Sequence, residues 1–228
     1  MSLTAALEPV TTPSLDASAA RTTGLLYLGL GLTGLLGFLV IRPRLFSADD
    51  PASTTTNLLE HESLALAGIA LELGIVLTQA LAALWFFKLF RPVGSFAAGA
   101  IAMFGTVNAV AVLGSAACLA TALEVAGAPS GAADSQLMYL MSENLWTAGS
   151  LFFGLWLIPM GVAVLRSGWA PRALGMLLVV GGVAYVLSAF VAAALPMASD
   201  AVAAALTVPA TAGEFWMIGW LLMRGLRR

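Results

Sequence analysis

Six apolar runs, each of 20 residues or more, alternate with short polar breaks along this chain of 228 residues. A bilayer core of about 30 Å requires roughly 20 apolar residues in helical form, so each run is long enough to cross it. The runs cover residues 22–41, 64–87, 95–126, 138–165, 172–195 and 202–223. Because 60% of the residues are hydrophobic and 10% are charged, the chain lacks the polar surface of a soluble protein. The sequence therefore predicts an all-α polytopic membrane bundle of six transmembrane helices.

The breaks between runs combine charge, proline and glycine in the way that stops helices. Arg42-Pro43-Arg44 ends the first run, for example, and Pro196 follows the fifth. Residues 1–20 lack the basic region of a cleaved signal, and we interpret them as a flexible cytoplasmic tail. Residues 21–228 are then predicted to form a single six-helix transmembrane domain.

Basic residues near the ends of the spans predict the orientation, because cytoplasmic segments carry an excess of them. With the N-terminus inside, eight basic residues are cytoplasmic and two are outside. The cytoplasmic set is Arg21, Lys88, Arg91, Arg166, Arg172, Arg224, Arg227 and Arg228. Both termini are therefore predicted to be cytoplasmic, in a multi-pass protein of a bacterial inner membrane.

The first outer loop, residues 42–63, is the longest segment between spans. A run of Ser and Thr at 53–56 follows Asp49-Asp50-Pro51 and predicts a short, capped interfacial helix that leads into span two. Arg42 and Arg44 lie in this outer loop, although basic residues are expected on the cytoplasmic side. We expect them to pair with the two aspartates or with anionic lipid headgroups.

Small residues let helix backbones approach closely in membranes. Span one carries Gly31, Gly34 and Gly37, and span three is rich in glycine and alanine. We therefore predict close helix packing at both spans.

Several short motifs occur along the chain in a definite order. They are Arg21-Thr22-Thr23-Gly24-Leu25-Leu26-Tyr27, Arg91-Pro92, Leu151-Phe152-Phe153-Gly154-Leu155, the stretch 166–175 (Arg-Ser-Gly-Trp-Ala-Pro-Arg-Ala-Leu-Gly), and Gly213-Glu214-Phe215-Trp216. In order and spacing they resemble a bacterial family of six-span proteins catalogued as domain of unknown function 4386, over residues 21–226. The resemblance implies a bacterial inner-membrane protein and carries no general activity.

Two positions depart from the pattern of that family. Its third span often has an acid near the place of Asn108, and the start of its fourth span is usually less acidic than Ser142-Glu143-Asn144. If the protein has a specialised activity, these positions are where we expect it.

Glu72 and Glu214 lie inside long apolar runs, and Glu143 lies just inside another. A charged side chain inside a bilayer is costly, so it usually faces the protein interior and marks a functional site. At 1.5 Å per residue, their depths below the predicted outer ends are about 12, 8 and 18 Å, so one outward-opening cavity could hold all three. Because apolar surroundings disfavour the charged form, one or more is expected to be protonated. Each glutamate taken singly could instead hydrogen-bond a neighbouring helix.

Helical spacing places further side chains near these acids, since positions three, four and seven apart share a face. Glu72 and Gln79 are seven residues apart, as are Asn108 and Ser115. The residues predicted to contact a substrate are Asn108, Asn144, Trp146, Trp216, Gln79, Thr211 and His61. Spans two, three, four and six are therefore expected around a polar centre, with spans one and five at the periphery.

His61 is the only histidine and stands between Glu60 and Glu62. Consecutive helical residues point apart, so these three do not readily form one metal site. A contact with substrate at the cavity mouth and a plain interfacial position both remain open for His61. The sequence has no nucleotide-binding loop, haem motif, Ser-His-Asp pattern, paired cysteines or basic cluster. We therefore expect no metal, no cofactor and no nucleic-acid partner.

The leading functional hypothesis is a membrane-embedded acid–base enzyme that isomerises or cyclises an apolar, lipid-like or isoprenoid substrate. The three glutamates would move protons and nearby aromatic rings would stabilise a cation. A proton-coupled transporter is one alternative, although six spans are few for alternating access unless the protein forms a homodimer. A non-catalytic binding or assembly protein is the other. The expected partners are membrane lipids and an apolar small molecule.

Overall fold

The computed structural model describes residues 14–194 and 200–226, and most of them are helical. Helix α1 spans Ala17–Gly34 and continues through a π-helical segment, Leu35–Ile41, into the short α2, Arg42–Leu45. The other helices are α3 (Pro51–Glu60), α4 (Glu62–Phe90), α5 (Ser95–Val125), α6 (Gly131–Ser167), α7 (Arg172–Ala194) and α8 (Asp200–Leu226). No strand occurs in these described ranges, which confirms the all-α prediction.

Five helical stretches within the described residues are long and apolar enough to cross a membrane. They are Ala17–Leu45, Glu62–Phe90, Ser95–Val125, Gly131–Ser167 and Arg172–Ala192. The protein is thus a multi-pass membrane protein by length and composition of its helices. The sixth predicted span, 202–223, lies within α8, and its crossing of the bilayer stays a prediction. The predicted break at Pro196 and residues 1–13 of the predicted tail lie outside the described residues, and α1 already begins at Ala17.

The six long helices form a ring in which each packs against its neighbours in the sequence. Helix α8 closes the ring, because it packs against both α7 and α1. Successive helices alternate in direction across short connections. The ring therefore has a loop end, where α2 and α3 lie, and a termini end, where α1 begins and α8 ends. The prediction that spans one and five are peripheral is wrong, since α1 and α7 are full members of the ring.

The inward faces of α4, α5 and α6 repeat every seven residues, which is about two helical turns. The buried residues are Ala65, Glu72, Gln79 and Phe86 on α4, Ile101, Asn108, Ser115 and Ala122 on α5, and Ser135, Ser142, Gly149 and Trp156 on α6. Corresponding positions stack in layers across the ring. From the loop end they form a polar layer (Glu72, Ser115, Ser142), an amide layer (Gln79, Asn108) and an aromatic layer (Tyr27 of α1, Phe86, Trp156). The predicted pairing of Glu72 with Gln79, and of Asn108 with Ser115, on one face is confirmed.

The aromatic layer fills the ring toward its termini end. The ring of Tyr27 meets Phe86 and Trp156 edge to face, with centroids 5.3 and 5.4 Å apart, and the latter two rings are 5.7 Å apart. All three side chains are at most 2% exposed. Edge-to-face packing of this kind favours one fixed arrangement of the rings.

Helices α6 and α7 approach each other through two pairs of glycines. A Cβ atom on Gly161 would lie 2.6 Å from the carbonyl oxygen of Gly175, and one on Gly154 would lie 2.9 Å from that of Gly182. Larger residues at these positions would force the backbones apart. On span one the prediction of close packing is wrong at Gly34, where a Cβ atom would have no neighbour within 4 Å. That glycine borders the cavity described below.

The predicted interfacial helix is α3, which packs against α6 at the loop end. Its cap is Asp50, whose carboxylate accepts hydrogen bonds from the Ser53 backbone N–H at 3.0 Å and from the Ser53 hydroxyl at 2.6 Å. These hydrogen bonds hold the pKa of Asp50 below its ordinary value. The serine and threonine run was expected to cap the helix, whereas the helix begins at Pro51, the run lies within it and the preceding aspartate is the cap.

We predict that Gly161→Ala lowers the free energy of unfolding by about 1–3 kcal/mol, because the added methyl group meets the α7 backbone. The matched change Gly99→Ala, at a site with no neighbour within 4 Å, should be neutral or slightly stabilising. Denaturation by dodecyl sulfate in mixed micelles, followed by circular dichroism, measures both values. Equal stability of the two variants would contradict the close contact of α6 with α7.

Candidate functional site

A cavity of about 400 Å³ lies inside the ring on the loop side of the aromatic layer. Its wall is mostly aliphatic and aromatic. The polar side chains on it are Tyr27, Tyr185, Gln79, Asn108, Thr207, Thr211 and Glu214, and the other aromatic ones are Phe38, Trp146, Phe153 and Phe215. Such a lining, with a few polar groups among aromatic rings, is typical of small-molecule sites.

The mouth of the cavity lies between the π-helical segment and α8. Leu39 and Phe215 both line the cavity, and they are 63% and 50% exposed. Closer to the termini end, α1 and α8 pack tightly, as at Gly24, where a Cβ atom would lie 3.0 Å from the Cβ of Leu221. The two helices therefore part toward the loop end. The exposed lining residues between these two segments are apolar except for Thr211.

Glu214 is held in the cavity wall by a buried phenol. The hydroxyl of Tyr27 donates a hydrogen bond to Oε1 of Glu214, and Tyr27 is fixed by the aromatic layer. The carboxyl group belongs to α8, and the hydroxyl that orients it belongs to α1, across the contact between the two helices. Sequence reasoning gave Tyr27 no role, although a phenol inside an otherwise apolar span was an available signal.

The amide layer brings together two predicted residues, Gln79 and Asn108. Asn108 Nδ2 donates to Gln79 Oε1 at 2.9 Å, and both residues line the cavity. Among the described residues, no group accepts a hydrogen bond from Gln79 Nε2. Gly149 lies opposite on α6, where a Cβ atom would come within 3.1 Å of Asn108 Oδ1. The glycine thus leaves room for the amides.

The polar layer surrounds Glu72 with donors from three other segments. The Ser115 hydroxyl donates to Oε2 at 2.7 Å, the Trp146 indole donates to Oε1 at 3.1 Å, and the Arg42 guanidinium lies 3.6 Å from Oε1. Arg42 also donates to the Ser142 hydroxyl at 2.8 Å. The side chains of Arg42 and Glu72 are 10% and 7% exposed, so this is a buried ion pair with hydrogen bonds on both partners.

The partner expected for Arg42 is corrected by this arrangement. We expected Asp49, Asp50 or lipid headgroups, whereas Arg42 turns inward to Glu72. Its guanidinium lies 5.8 Å from the centroid of the Phe38 ring and 6.0 Å from that of Tyr139, which covers its faces with aromatic surface. The sequence contained a signal for this inward position, because Arg42 is a basic residue in a segment predicted to lie outside, where basic residues are disfavoured.

Trp146 joins the polar layer to the cavity. Its indole N–H is bonded to Glu72, its ring lines the cavity, and its centroid lies 5.5 Å from that of Phe38. The ion pair of Arg42 with Glu72 therefore fixes part of the cavity wall without lining that cavity itself.

The other predicted site residues lie elsewhere. Glu143, Asn144, His61 and Trp216 are exposed and do not line the cavity. On α6 the residues that face the interior of the ring include Ser142 and Gly149. Glu143 and Asn144, which follow Ser142, therefore face away from it. Of the three glutamates, Glu214 alone lines the cavity. In the described part of the chain, no group of three metal-ligating side chains comes together.

The family model described as "Domain of unknown function (DUF4386)" matches residues 22–225. The chain belongs to the DUF4386 family. The matched residues run from α1 to α8, so the ring, its cavity and the polar layer all lie within the DUF4386 domain. No curated protein and no solved structure matches the chain.

We predict that Arg42→Met lowers the free energy of unfolding of this DUF4386 protein by about 3 kcal/mol, because it leaves a buried carboxylate without its counter-charge. The double variant Arg42→Met/Glu72→Leu should recover at least half of that loss, since it removes both charges. Arg44→Met, at an exposed neighbouring arginine, serves as the control. Denaturant unfolding in micelles measures these variants and Glu72→Leu alone. A double variant as unstable as the sum of its single changes would argue against a buried pair.

Proposed function

We propose that this DUF4386 protein binds an apolar, lipid-like or isoprenoid molecule in the ring cavity and that Glu214 performs acid–base isomerisation on it. One observation carries the proposal. A single carboxyl group, oriented by the buried hydroxyl of Tyr27, stands in a mostly apolar and aromatic cavity. Its location is proposed to be the bacterial cytoplasmic membrane with both termini inside, supported by the distribution of basic residues.

The shape of the cavity supports binding of a molecule that arrives from the bilayer. The apolar rim at Leu39 and Phe215 opens sideways, between helices, so an apolar body could pass without crossing water. A volume of about 400 Å³ lies in the range of small-molecule pockets. Burial of the apolar body against the walls would contribute most of the binding free energy.

In the proposed reaction, protonated Glu214 donates its proton to one carbon of a double bond, which leaves a cation at the other carbon. The carboxylate then removes a proton from a carbon next to the cation. The double bond has shifted, Glu214 has regained its proton, and no co-reactant is consumed. The rings of Trp146, Phe153 and Tyr185 on the cavity wall would stabilise the cation. The hydrogen bond from Tyr27 would stabilise the carboxylate formed in the first step.

A proton-coupled transporter is the second candidate, because a carboxyl group in a membrane cavity could also carry protons. The aromatic layer favours the enzyme. Tyr27, Phe86 and Trp156 fill the ring between the cavity and the termini end, so passage would require them to repack. Proton flux into liposomes that depends on a substrate would favour transport instead.

Binding is tested by filling the cavity. Gly34 lines it and has no neighbour within 4 Å of a Cβ position, so Gly34→Phe should occupy the space of the ligand. We expect native mass spectrometry of gently extracted protein to show a bound apolar molecule in the parent, and its loss in Gly34→Phe. Gly99→Phe, at an equally open glycine outside the cavity, should keep it. A ligand-free parent, or a ligand retained by Gly34→Phe, would refute the proposed binding.

Chemistry is tested separately by isotope exchange. Protonation and deprotonation at carbon in D₂O should place deuterium in the bound molecule. Glu214→Gln should slow this exchange by roughly 100-fold or more, because an amide cannot supply the proton. Glu143→Gln, the same change at an exposed position, should leave it unchanged. If the parent binds a ligand that stays unlabelled, acid–base chemistry is refuted while binding stands.

A further inference from the structure

We infer that Gln79 and Asn108 form a subsite that binds an uncharged oxygen atom of the ligand, a hydroxyl or a carbonyl. The inference rests on the proposed binding function and names the class of molecule more narrowly. It assigns to the cavity a neutral oxygenated lipid, as opposed to a plain hydrocarbon, a fatty acid or a lipid phosphate.

The hydrogen-bonding count of the two amides supports this subsite. Each primary amide offers one carbonyl oxygen and an NH₂ group. One hydrogen bond joins them, from Asn108 Nδ2 to Gln79 Oε1, and the NH₂ group of Gln79 has no acceptor among the described residues. Exchanging oxygen and nitrogen in both amides reverses that bond and leaves over the NH₂ group of Asn108 instead, so one NH₂ group of the pair is unpaired in either assignment.

The two amides border the cavity together. Both residues line it, Asn108 is 5% exposed there and Gln79 is buried, so Asn108 presents the accessible edge of the pair and a ligand atom meets the Gln79 NH₂ group once that side chain turns toward the cavity. A buried donor without a partner costs free energy, and native proteins rarely keep one. An acceptor atom on a bound molecule would remove that cost. The cavity therefore favours a ligand with an oxygen atom at the amide layer over one without it.

The charges around the cavity exclude anionic groups as the preferred partner. Among its described lining residues there is no Lys, Arg or His, and the one carboxyl group is that of Glu214. The nearest basic side chain in the polar layer, Arg42, is engaged by Glu72 and Ser142 and borders a separate, much smaller cavity. A phosphate or carboxylate would be buried without a counter-charge, which is costly. A hydroxyl or carbonyl avoids that cost.

The subsite and the acid stand on different sides of the ring. Gln79 and Asn108 come from α4 and α5, whereas Glu214 comes from α8, which packs on α7 and α1. A ligand held at its oxygen by the amides would therefore present another part of its body to Glu214. The amide subsite would thus select which carbon the acid reaches.

Three probes with one carbon skeleton test the subsite: farnesene, farnesol and farnesyl phosphate, added at equal mole fraction to nanodiscs containing the protein. Native mass spectrometry gives the bound fraction of each. We expect farnesol to bind about tenfold more tightly than farnesene, which is the effect of one satisfied hydrogen bond, and farnesyl phosphate to bind no better than farnesene.

Gln79→Leu and Asn108→Leu should each reduce the preference for farnesol to less than about threefold while keeping farnesene binding. Asn144→Leu, at an exposed asparagine, should leave the preference intact.

The outcomes separate this inference from the proposed function. Equal binding of farnesol and farnesene by the parent would refute the subsite and leave the cavity as a binding site. Tightest binding of the phosphate would also refute it, in favour of an anion site. A parent that binds no probe and carries no apolar molecule of its own would refute the binding function and this inference together. The comparison within the parent decides the question even if a leucine variant fails to fold.

Discussion

The carboxylate of Glu72 must be compensated inside the ring, and much of the architecture follows from that requirement. An ionised group within a bilayer needs a counter-charge and hydrogen-bond donors close by. Arg42, Ser115 and Trp146 provide them from the segment after α1, from α5 and from α6. The π-helical turn contributes to this, since the Arg42 backbone N–H bonds to the carbonyl of Gly37, five residues back. Such turns are frequent at functional sites, and this one places both a cavity-lining ring and the inward arginine.

The cavity arises because successive layers of the ring are filled differently. The aromatic layer is filled by three large side chains, whereas the amide layer meets a glycine, Gly149, on α6. Along α1, Gly31 and Gly34 face the cavity, where a larger side chain would occupy its volume. Gly31 and Gly34, which we expected to serve helix packing, thus border a space, whereas Gly37 packs toward Leu71 of α4 and the glycines of α6 and α7 bring two backbones together.

The sequence predicted the helices well and the inward faces in part. Long apolar runs bounded by charge and proline identify spans without knowledge of their neighbours, and seven-residue spacing correctly paired Glu72 with Gln79. On α6 the polar stripe through Glu143 was taken as inward, yet the inward stripe carries small residues and Trp156. Polarity alone does not distinguish a face toward the ring from one toward the membrane surface near a helix end.

Spacing rules could not predict contacts between side chains that are far apart in the chain. Arg42 and Glu72 lie on different helices, and Tyr27 and Glu214 are 187 positions apart. Helical periodicity relates residues within one helix, so it cannot match a phenol on the first to an acid on the last. Only the order in which helices surround the ring brings these groups together, and that order was predicted incorrectly for α1 and α7.

The closure of the ring by α8 has a consequence for biogenesis. Each helix can pack against the one made just before it, but α1 packs against α8 only after α8 itself has been made. Until then the assembly is an open arc whose future interior is accessible from the membrane. The hydroxyl of Tyr27 on α1 can form its hydrogen bond only after α8, which carries Glu214, has been made. The cavity therefore forms only once α8 is in place, and a chain that ended before residue 200 would contain the other helices of the ring without one wall of that cavity.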